Sequence, residues 1–372
     1  MATFRVSGEA DVVEVVRAAR KSKRTLEIIG HGTKRGFGRP VECDDVLDLS
    51  GLTGIVNYEP DEMIITARAG TPVAEIEAAL AERKQRLGFE PADWGPLFGS
   101  PANFATIGGV LSANCDGSAA IRYGRCRDHL LGFRAVNGFG EAYKGGGKVV
   151  KNVTGFDLPK LMCGAMGTLG PLTEITLRVF PTARLSGVFI VSGLSPENGL
   201  ALLRRLWSSP LEPSGLGFHN GGAFIRLEGS RAALDEKMKF LRDLATHQLE
   251  QIEDFDKVFR DLASGKFVAA ATGVVWVVHA PPANATRLVA EIQPQIWCAD
   301  WAGALLWVVC DPRCNVWDVC RRFEARAIRM RSDNSIPPFE PEERVRGALT
   351  GRVKAALDPL RLFNPGRMWE GV

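Results

Sequence analysis

Four glycines, one threonine and one lysine lie within the nine residues of the segment GHGTKRGFG, which spans residues 30–38. Glycines let backbone N–H groups approach an anion closely, and the lysine adds a positive charge, so the composition suits a diphosphate group. An ordinary loop between strands has the same composition, and this segment alone does not decide between the two interpretations. The segment is neither a GxGxxG turn nor a Walker A loop, because no helical pattern follows Gly38.

A second glycine-rich stretch covers residues 99–181 and contains TIGG (106–109), KNVTGFDL (151–158) and GTLGPLTE (167–174). A turn that packs two elements is the simpler explanation of TIGG taken alone. In KNVTGFDL, however, polar side chains lie between glycines that expose the backbone, which favours a ligand site. Together with residues 30–38, these motifs predict a loop-built cradle for a phosphate-bearing cofactor.

The elements that must position these loops predict an α+β fold. Apolar spacing predicts helices over residues 7–20 and from Pro72, and a short helix over 158–166. Strands are predicted at 25–29, 46–49, 55–58, 63–69 and 174–180, with a hairpin around residues 133–143. Beyond residue 184, strands are predicted at 185–191, 274–279 and 304–309, a hairpin at 216–227, and helices at 197–207, 231–245 and 285–292.

Two later segments carry more specific expectations. Residues 316–331 are predicted to form one basic helix. It could face an anionic substrate or a partner subunit, although a solvated face is the favoured explanation. Its arginines are Arg321, Arg322, Arg326, Arg329 and Arg331. The last helix carries Val345, Leu349, Val353 and Leu357 four residues apart, which predicts an apolar stripe docked on the body of the protein.

Composition narrows the class of protein. The 372 residues are 45% apolar and 24% charged, which is typical of a globular protein with more than one core. A net charge of +3, spread without blocks, gives no indication of a nucleic-acid partner. We expect a cytoplasmic protein without direct membrane insertion, because no secretion signal or membrane-length apolar run is found. The eight cysteines fit no metal-binding spacing, so free thiols are favoured over a metal site.

The motifs GHGTKRGFG, TIGG, KNVTGFDLPKL and GTLGPLTEITLRV occur in this order and are followed at residues 363–368 by FNPGRM. In this arrangement the chain resembles the p-cresol-methylhydroxylase-type FAD domain of the vanillyl-alcohol-oxidase family over about residues 25–181. The resemblance implies a two-subdomain FAD-binding domain at 1–181 and a smaller α+β cap at 182–331. It also implies a C-terminal segment at 332–372 whose helix returns to the FAD domain.

The same resemblance implies which residues bind FAD. The cofactor is expected to be non-covalent, because His31 does not sit in the GGH pattern of relatives that attach it covalently. The first loop and TIGG would wall the diphosphate, the KNVTGFDL residues would line the flavin, and the GTLGPLTE residues would hold the adenosine part. The implied residues are Gly30, Gly32, Thr33, Lys34, Gly36, Gly38, Thr106, Ile107, Gly108, Gly109, Asn152, Thr154, Gly155, Asp157, Gly167, Thr168, Leu169, Gly170 and Thr173.

GIVNYEPDEMIITARAGTPVAEIEAAL, KNVTGFDL and FNPGRM are similar to FAD-binding subunits of glycolate-oxidising assemblies, which also contain a second flavoprotein and an iron–sulfur subunit. This implies oxidation of glycolate, or another small 2-hydroxy acid, to the oxo acid, with electrons passed to partner subunits and membrane association only through them. The HxGDGNxH motif of self-sufficient members is not found, so no catalytic residue is predicted. An electron-relay or structural subunit and a self-sufficient 2-hydroxy-acid oxidase remain alternatives.

Overall fold

A computed structural model describes residues 1–147, 157–245, 249–252, 255–331 and 337–371. The chain divides into two compact units. The first contains residues 1–115, 125–181 and 341–372, and the second contains residues 116–124 and 182–340. The first unit is therefore assembled from three separate stretches of sequence.

The first unit begins with a parallel sheet in the order β1-β3-β2. Helix α1 buries Val12 and Val16 in a core that also contains Leu47, Val136 and Phe363. The loop that follows β2 is GHGTKRGFG. The bounds are β1 Thr3–Arg5, α1 Glu9–Ser22, β2 Leu26–Ile29 and β3 Asp45–Asp48.

The rest of the first unit is built on an antiparallel sheet in the order β4-β5-β9-β7-β8. The bounds are β4 Ile55–Glu59, β5 Ile64–Arg68, α2 Val73–Glu82, β6 Gln85–Arg86, α3 Ile107–Ala113, α5 Cys126–His129, β7 Leu130–Val136, β8 Ala142–Gly146, α6 Leu158–Met162, β9 Leu172–Arg178, β10 Phe180–Pro181 and α13 Arg344–Leu357. Strands β6 and β10 pair separately.

The second unit contains an antiparallel sheet in the order β14-β11-β13-β12-β16-β17-β15-β18. Its core includes Trp276, Phe218 and Leu200. The bounds are α4 Ala120–Tyr123, β11 Leu185–Val191, α7 Pro196–Trp207, β12 Gly215–His219, β13 Gly222–Gly229, α8 Arg231–Leu244, β14 Leu249–Ile252, α9 Phe255–Ala263, α10 Lys266–Ala269, β15 Val274–His279, α11 Ala285–Ile292, β16 Ile296–Asp300, β17 Leu305–Cys310, α12 Val316–Arg322 and β18 Arg326–Arg331. The predicted α+β fold class is confirmed.

The prediction of one basic helix over residues 316–331 is wrong. Helix α12 ends at Arg322, and Glu324 takes a positive φ of 54°, which a continuing helix does not permit. Strand β18 follows and pairs with β15. The arginines are engaged within their own unit, since Arg321 pairs with Asp318 and Glu340, and Arg331 donates to the carbonyl groups of residues 269 and 271.

The predicted apolar stripe of the last helix is wrong for its first two residues. In α13, Val345 is 81% exposed and Leu349 is 53% exposed, whereas Lys354 is buried. The other two residues of the stripe, Val353 and Leu357, are half-buried. The helix also carries a buried ion pair, because Lys354 and Asp358 face the interior at i and i+4. The four-residue repeat therefore identified the helix but misassigned its buried face.

None of the eight cysteines, all of which the structure describes, forms a disulfide, and five of them are buried. Among the residues that the structure describes, no group of three His, Cys, Asp or Glu side chains is placed to hold a metal ion. No helix within those same residues is long and apolar enough to cross a membrane.

Candidate functional site

A cleft in the first unit is bounded by the loop after β2, by α3, by the turn before β9 and by the segment after α13. These four walls come from distant parts of the sequence. The lining residues that the structure describes include no acidic side chain. They are Ile28, Ile29, Gly30, His31, Gly32, Thr33, Lys34, Arg35, Phe37, Leu49, Ala69, Thr106, Gly108, Gly109, Ser112, Ala113, Met166, Gly167, Gly170, Leu172, Asn364 and Arg367.

The loop after β2 presents backbone donors to the cleft. Gly32 has a φ of 70°, a left-handed conformation that glycine adopts without steric cost. Within the described part of the chain, the N–H groups of Gly32, Thr33 and Lys34 have no hydrogen-bond acceptor. Successive N–H groups in such a turn form a concave site for an anion. The loop is therefore shaped to bind a phosphate-bearing ligand.

The charge of the cleft is positive. Arg35 forms a bidentate ion pair with the buried carboxylate of Glu27, and this pairing raises the pKa of Arg35. Arg367 lies 3.9 Å from the same carboxylate, and its Nε atom is buried without a hydrogen-bond partner among the described residues. Burial lowers the pKa of Arg367. Arg35 and Arg367 share the one carboxylate of Glu27, and Lys34 also lines the cleft, which leaves an excess of positive charge for an anionic ligand.

The second wall approaches the loop closely. Thr106 caps α3 by accepting a hydrogen bond from the Gly109 N–H group at 3.2 Å. A Cβ atom on Gly30 would lie 2.5 Å from Thr106 Oγ1, and one on Gly108 would lie 2.7 Å from the Ala69 carbonyl oxygen. Glycine is needed at both positions, because Gly30 packs against the Thr106 side chain and Gly108 packs against the Ala69 backbone. Their role is to bring the walls together.

The C-terminal segment closes the cleft through Asn364. Its Oδ1 atom accepts from the Ile28 N–H group at 2.8 Å, and its Nδ2 atom donates to the Met166 carbonyl at 2.7 Å. One side chain thus joins β2 to the turn before Gly167. The sequence analysis predicted neither Asn364 nor Arg367 as a site residue, because FNPGRM indicated only the family. Two polar side chains around a Pro-Gly turn were the available signal.

Many of the residues implied by the family resemblance meet at this cleft. Gly30, Gly32, Thr33, Lys34, Thr106, Gly108, Gly109, Gly167 and Gly170 line it. The others that the structure describes do not line it, and these are Gly36, Gly38, Ile107, Asp157, Thr168, Leu169 and Thr173. Asn152, Thr154 and Gly155 lie outside the described residues.

Several of the residues outside the lining support it from behind. A Cβ atom on Gly38 would lie 2.9 Å from the Arg367 carbonyl oxygen, so this glycine permits the C-terminal segment to pack. The Thr168 carbonyl accepts from Lys354 at 2.6 Å. Thr173 donates to Glu9 at 2.7 Å and so holds α1. Asp157, in contrast, is exposed and pairs with Lys160.

Comparison with known proteins agrees with this geometry. Residues 2–146 match the FAD binding domain family. p-Cresol methylhydroxylase, solved with substrate bound, superimposes with a TM-score of 0.75 over 98% of this chain and 88% of that chain, at 15% identity. The fold and the cleft define an FAD-binding domain of the p-cresol-methylhydroxylase type, and FAD is the cofactor of this oxidoreductase subunit.

Two curated relatives are closer in sequence. The glycolate oxidase subunit GlcE of Escherichia coli K12 is 32% identical over 361 residues, which is 96% of both chains. The chain belongs to this glycolate oxidase subunit family. The glycolate oxidase subunit GlcD of Bacillus subtilis 168 is 32% identical over 63% of this chain, but the match covers only 47% of that protein.

Proposed function

We propose that the cleft binds the diphosphate of FAD and that the chain acts as the FAD-binding subunit of a glycolate-oxidising complex. The observation that carries this proposal is the loop of residues 30–35, where unpaired N–H groups and Lys34 face the same cleft as Arg367. A diphosphate is dianionic, and the excess positive charge of the cleft is complementary to it.

In this proposal, different residues of the cleft contact different parts of FAD. The N–H groups of Gly32 and Thr33 donate to phosphate oxygens, and Lys34 and Arg367 neutralise their charge. Gly167 and Gly170 line the cleft at the turn before β9, where we place the adenosine part. When bound, FAD supplies the acceptor for hydride and electrons. We also propose that Asn152, Thr154 and Gly155 line the flavin, as the family resemblance implies, and that the FAD is non-covalent.

We assign glycolate as the substrate because the relative that matches 96% of this chain is named for glycolate oxidase. The partners we propose are a second flavoprotein subunit, similar to the subunit GlcD, and an iron–sulfur subunit. The chain lacks an HxGDGNxH motif, which supports a substrate site completed by the second flavoprotein rather than a self-sufficient oxidase. The complex would be cytoplasmic, with any membrane association made through the partners.

The cofactor assignment is tested with Lys34→Met. The variant should lose FAD affinity by about 10- to 100-fold, because a charge-assisted hydrogen bond is worth roughly 1.5–3 kcal/mol. Lys160→Met is the matched control, since Lys160 is 41% exposed, lies in the same unit and pairs with Asp157 away from the cleft. Equal FAD content in the two variants would show that the cleft is not the diphosphate site.

The substrate assignment is tested by adding glycolate anaerobically to the purified chain and to the complex with both partner subunits. We expect the flavin absorbance of the complex to bleach. Bleaching of the isolated chain would support the self-sufficient oxidase instead. A complex that retains FAD but bleaches with another 2-hydroxy acid and not with glycolate would contradict the substrate alone, and leave the cofactor site standing.

A further inference from the structure

Two thiols of the first unit are in contact. The Sγ atoms of Cys126 and Cys163 lie 3.3 Å apart, and both donate to Asn114 Oδ1, at 3.3 Å and 3.2 Å respectively. Cys126 is the first residue of α5, and Cys163 follows α6 directly. A disulfide has an S–S length of about 2.05 Å, so closure requires the sulfurs to approach by roughly 1.3 Å. A shift of that size is within the reach of side-chain rotation.

The surroundings give the two thiols different roles. Cys163 is partly exposed, whereas Cys126 is fully buried. An oxidant from solvent therefore meets Cys163 first, and the buried Cys126 lies in position to resolve the product. An exposed thiol next to a resolving thiol is the arrangement typical of cysteines that are oxidised reversibly.

Two thiols of the second unit, Cys310 and Cys314, also combine one buried and one partly exposed side chain. The Cys314 thiol donates to the Ile292 carbonyl oxygen at 3.9 Å. Burial raises the pKa of Cys310 to about 12 and also raises the pKa of Cys314. These thiols stay protonated at neutral pH, and the thiolate is the form that reacts. The second unit therefore supplies an internal control.

We propose that Cys126 and Cys163 form a modification site, a dithiol that hydrogen peroxide oxidises to a disulfide. The Cys163 sulfur attacks one peroxide oxygen, the O–O bond breaks, and the products are Cys163 sulfenic acid and water. The Cys126 sulfur then attacks the Cys163 sulfur, so that the S–S bond forms and the S–O bond breaks. The departing hydroxyl group takes the Cys126 thiol proton and leaves as a second water. Two electrons pass from the thiols to the peroxide, and both thiol protons end in the two water molecules.

The bridge would clamp the back of the cleft. The turn after Cys163 is hydrogen-bonded to the end of α3, from Gly164 N–H to the Leu111 carbonyl at 2.9 Å and from Met166 N–H to the Ser112 carbonyl at 2.8 Å. Met166 and Ser112 both line the cleft. The disulfide would tie α5 to this turn and close a long loop of the chain, which stabilises the folded state by restricting the unfolded one.

The test treats the full-length protein with hydrogen peroxide, blocks remaining thiols with N-ethylmaleimide, and maps non-reduced peptides by mass spectrometry. We expect a peptide bridged between Cys126 and Cys163 that dithiothreitol removes, with a thermal midpoint raised by roughly 5–10 °C in the oxidised protein. Full alkylation of both thiols, or irreversible oxidation of Cys163 without a bridge, would overturn the proposal. The bridged peptide and the alkylation pattern are read without bound FAD or glycolate, and the two thermal midpoints are compared at equal FAD content.

Two variants separate the steps. Cys126→Ser should accumulate Cys163 sulfenic acid, which dimedone labels, because the resolving thiol is gone. Cys314→Ser should form the bridge as readily as the natural sequence. Dimedone labelling that is absent from Cys126→Ser would contradict the assigned order of attack. A Cys126–Cys163 bridge that is lost in Cys314→Ser would contradict a dithiol that reacts on its own within the first unit.

Discussion

Lys354 and Asp358 form an ion pair at 2.9 Å inside the first unit, with side chains that are 1% and 0% exposed. The ammonium group also donates to the carbonyl oxygens of Thr168 and Phe363, so all three of its protons are used. The carboxylate accepts from the N–H groups of Leu362 and Phe363. This pair therefore fixes α13, the turn before β9 and the segment that carries Asn364 in one arrangement.

We predict that Lys354→Met lowers the free energy of unfolding by about 3–5 kcal/mol, because it leaves the Asp358 carboxylate buried without a cation. Urea denaturation measures the loss. Val345→Ser is the control on the same helix, since Val345 is 81% exposed, and it should change stability by less than about 0.5 kcal/mol. Equal stability of the two variants would contradict the buried-pair account of how α13 is attached.

The two hydrogen bonds of Asn364, one accepted and one donated, can be tested separately by substitution. Asn364→Asp keeps the acceptor for the Ile28 N–H group but replaces the donor to the Met166 carbonyl with an oxygen atom. It also adds a negative charge to the cleft. FAD affinity should therefore fall by more than about tenfold, which is roughly 1.4 kcal/mol, in a fluorescence titration. Asn198→Asp, at an exposed position of α7, should bind FAD normally.

Arg367→Met tests the positive charge of the cleft. Glu27 keeps its bidentate pair with Arg35, so the fold should persist while FAD affinity falls by about 10- to 100-fold. The dependence of the dissociation constant on salt should also weaken, because one cation no longer contributes. The FAD affinity of Arg367→Lys should lie between that of Arg367→Met and that of the natural sequence. A binding curve for Arg367→Met that matches the natural sequence would rule out contact between Arg367 and the cofactor.

Acid should weaken the first sheet through Asp45. Hydrogen bonds from Arg24 and from the Ala2 N–H group hold the pKa of Asp45 at about 2, below the unfolded value of about 3.9. The ionised form is favoured in the folded protein, so its contribution is complete above pH about 4 and is lost as the pH falls towards about 2. Unfolding midpoints of Asp45→Asn should lie below those of the natural sequence at neutral pH and converge with them in acid. Arg24→Met should reproduce this convergence.

Local patterns predicted the elements well where a segment carries its own signal. The strand at 274–279 and the helix at 285–292 are confirmed with the predicted bounds, because an apolar run and an amphipathic period mark them clearly. Strand β18 was missed because its alternation contains three arginines, and its partner β15 lies about 50 residues earlier in the sequence. The residues of a strand do not indicate a partner that lies so far away in the sequence, so this pairing could not be predicted from residues 326–331 alone.

In the candidate site, too, the sequence predicted the residues with a local signal and missed those placed by long-range contacts. Glycine spacing and the family resemblance pointed to Gly32, Lys34 and Gly167, which line the cleft. The resemblance did not separate residues that face the cleft from those that support it, such as Thr168 and Thr173. Asn364 and Arg367 meet Ile28 and Lys34 only through tertiary closure across more than 300 residues. That closure depends on the buried pair of Lys354 and Asp358, for which the sequence offers an i, i+4 spacing and no indication of burial.

The order of synthesis follows from the interrupted first unit. The ribosome makes the loop, α3 and the turn up to Leu172, then residues 182–340 of the second unit, and only afterwards Asn364 and Arg367. Domains generally begin to fold as they emerge. While the second unit is made, the nascent first unit therefore lacks the wall of the cleft that Asn364 and Arg367 form. Because we propose this cleft as the FAD site, we expect FAD capture to follow the synthesis of the last segment, and chains stalled within the second unit should leave the ribosome without flavin.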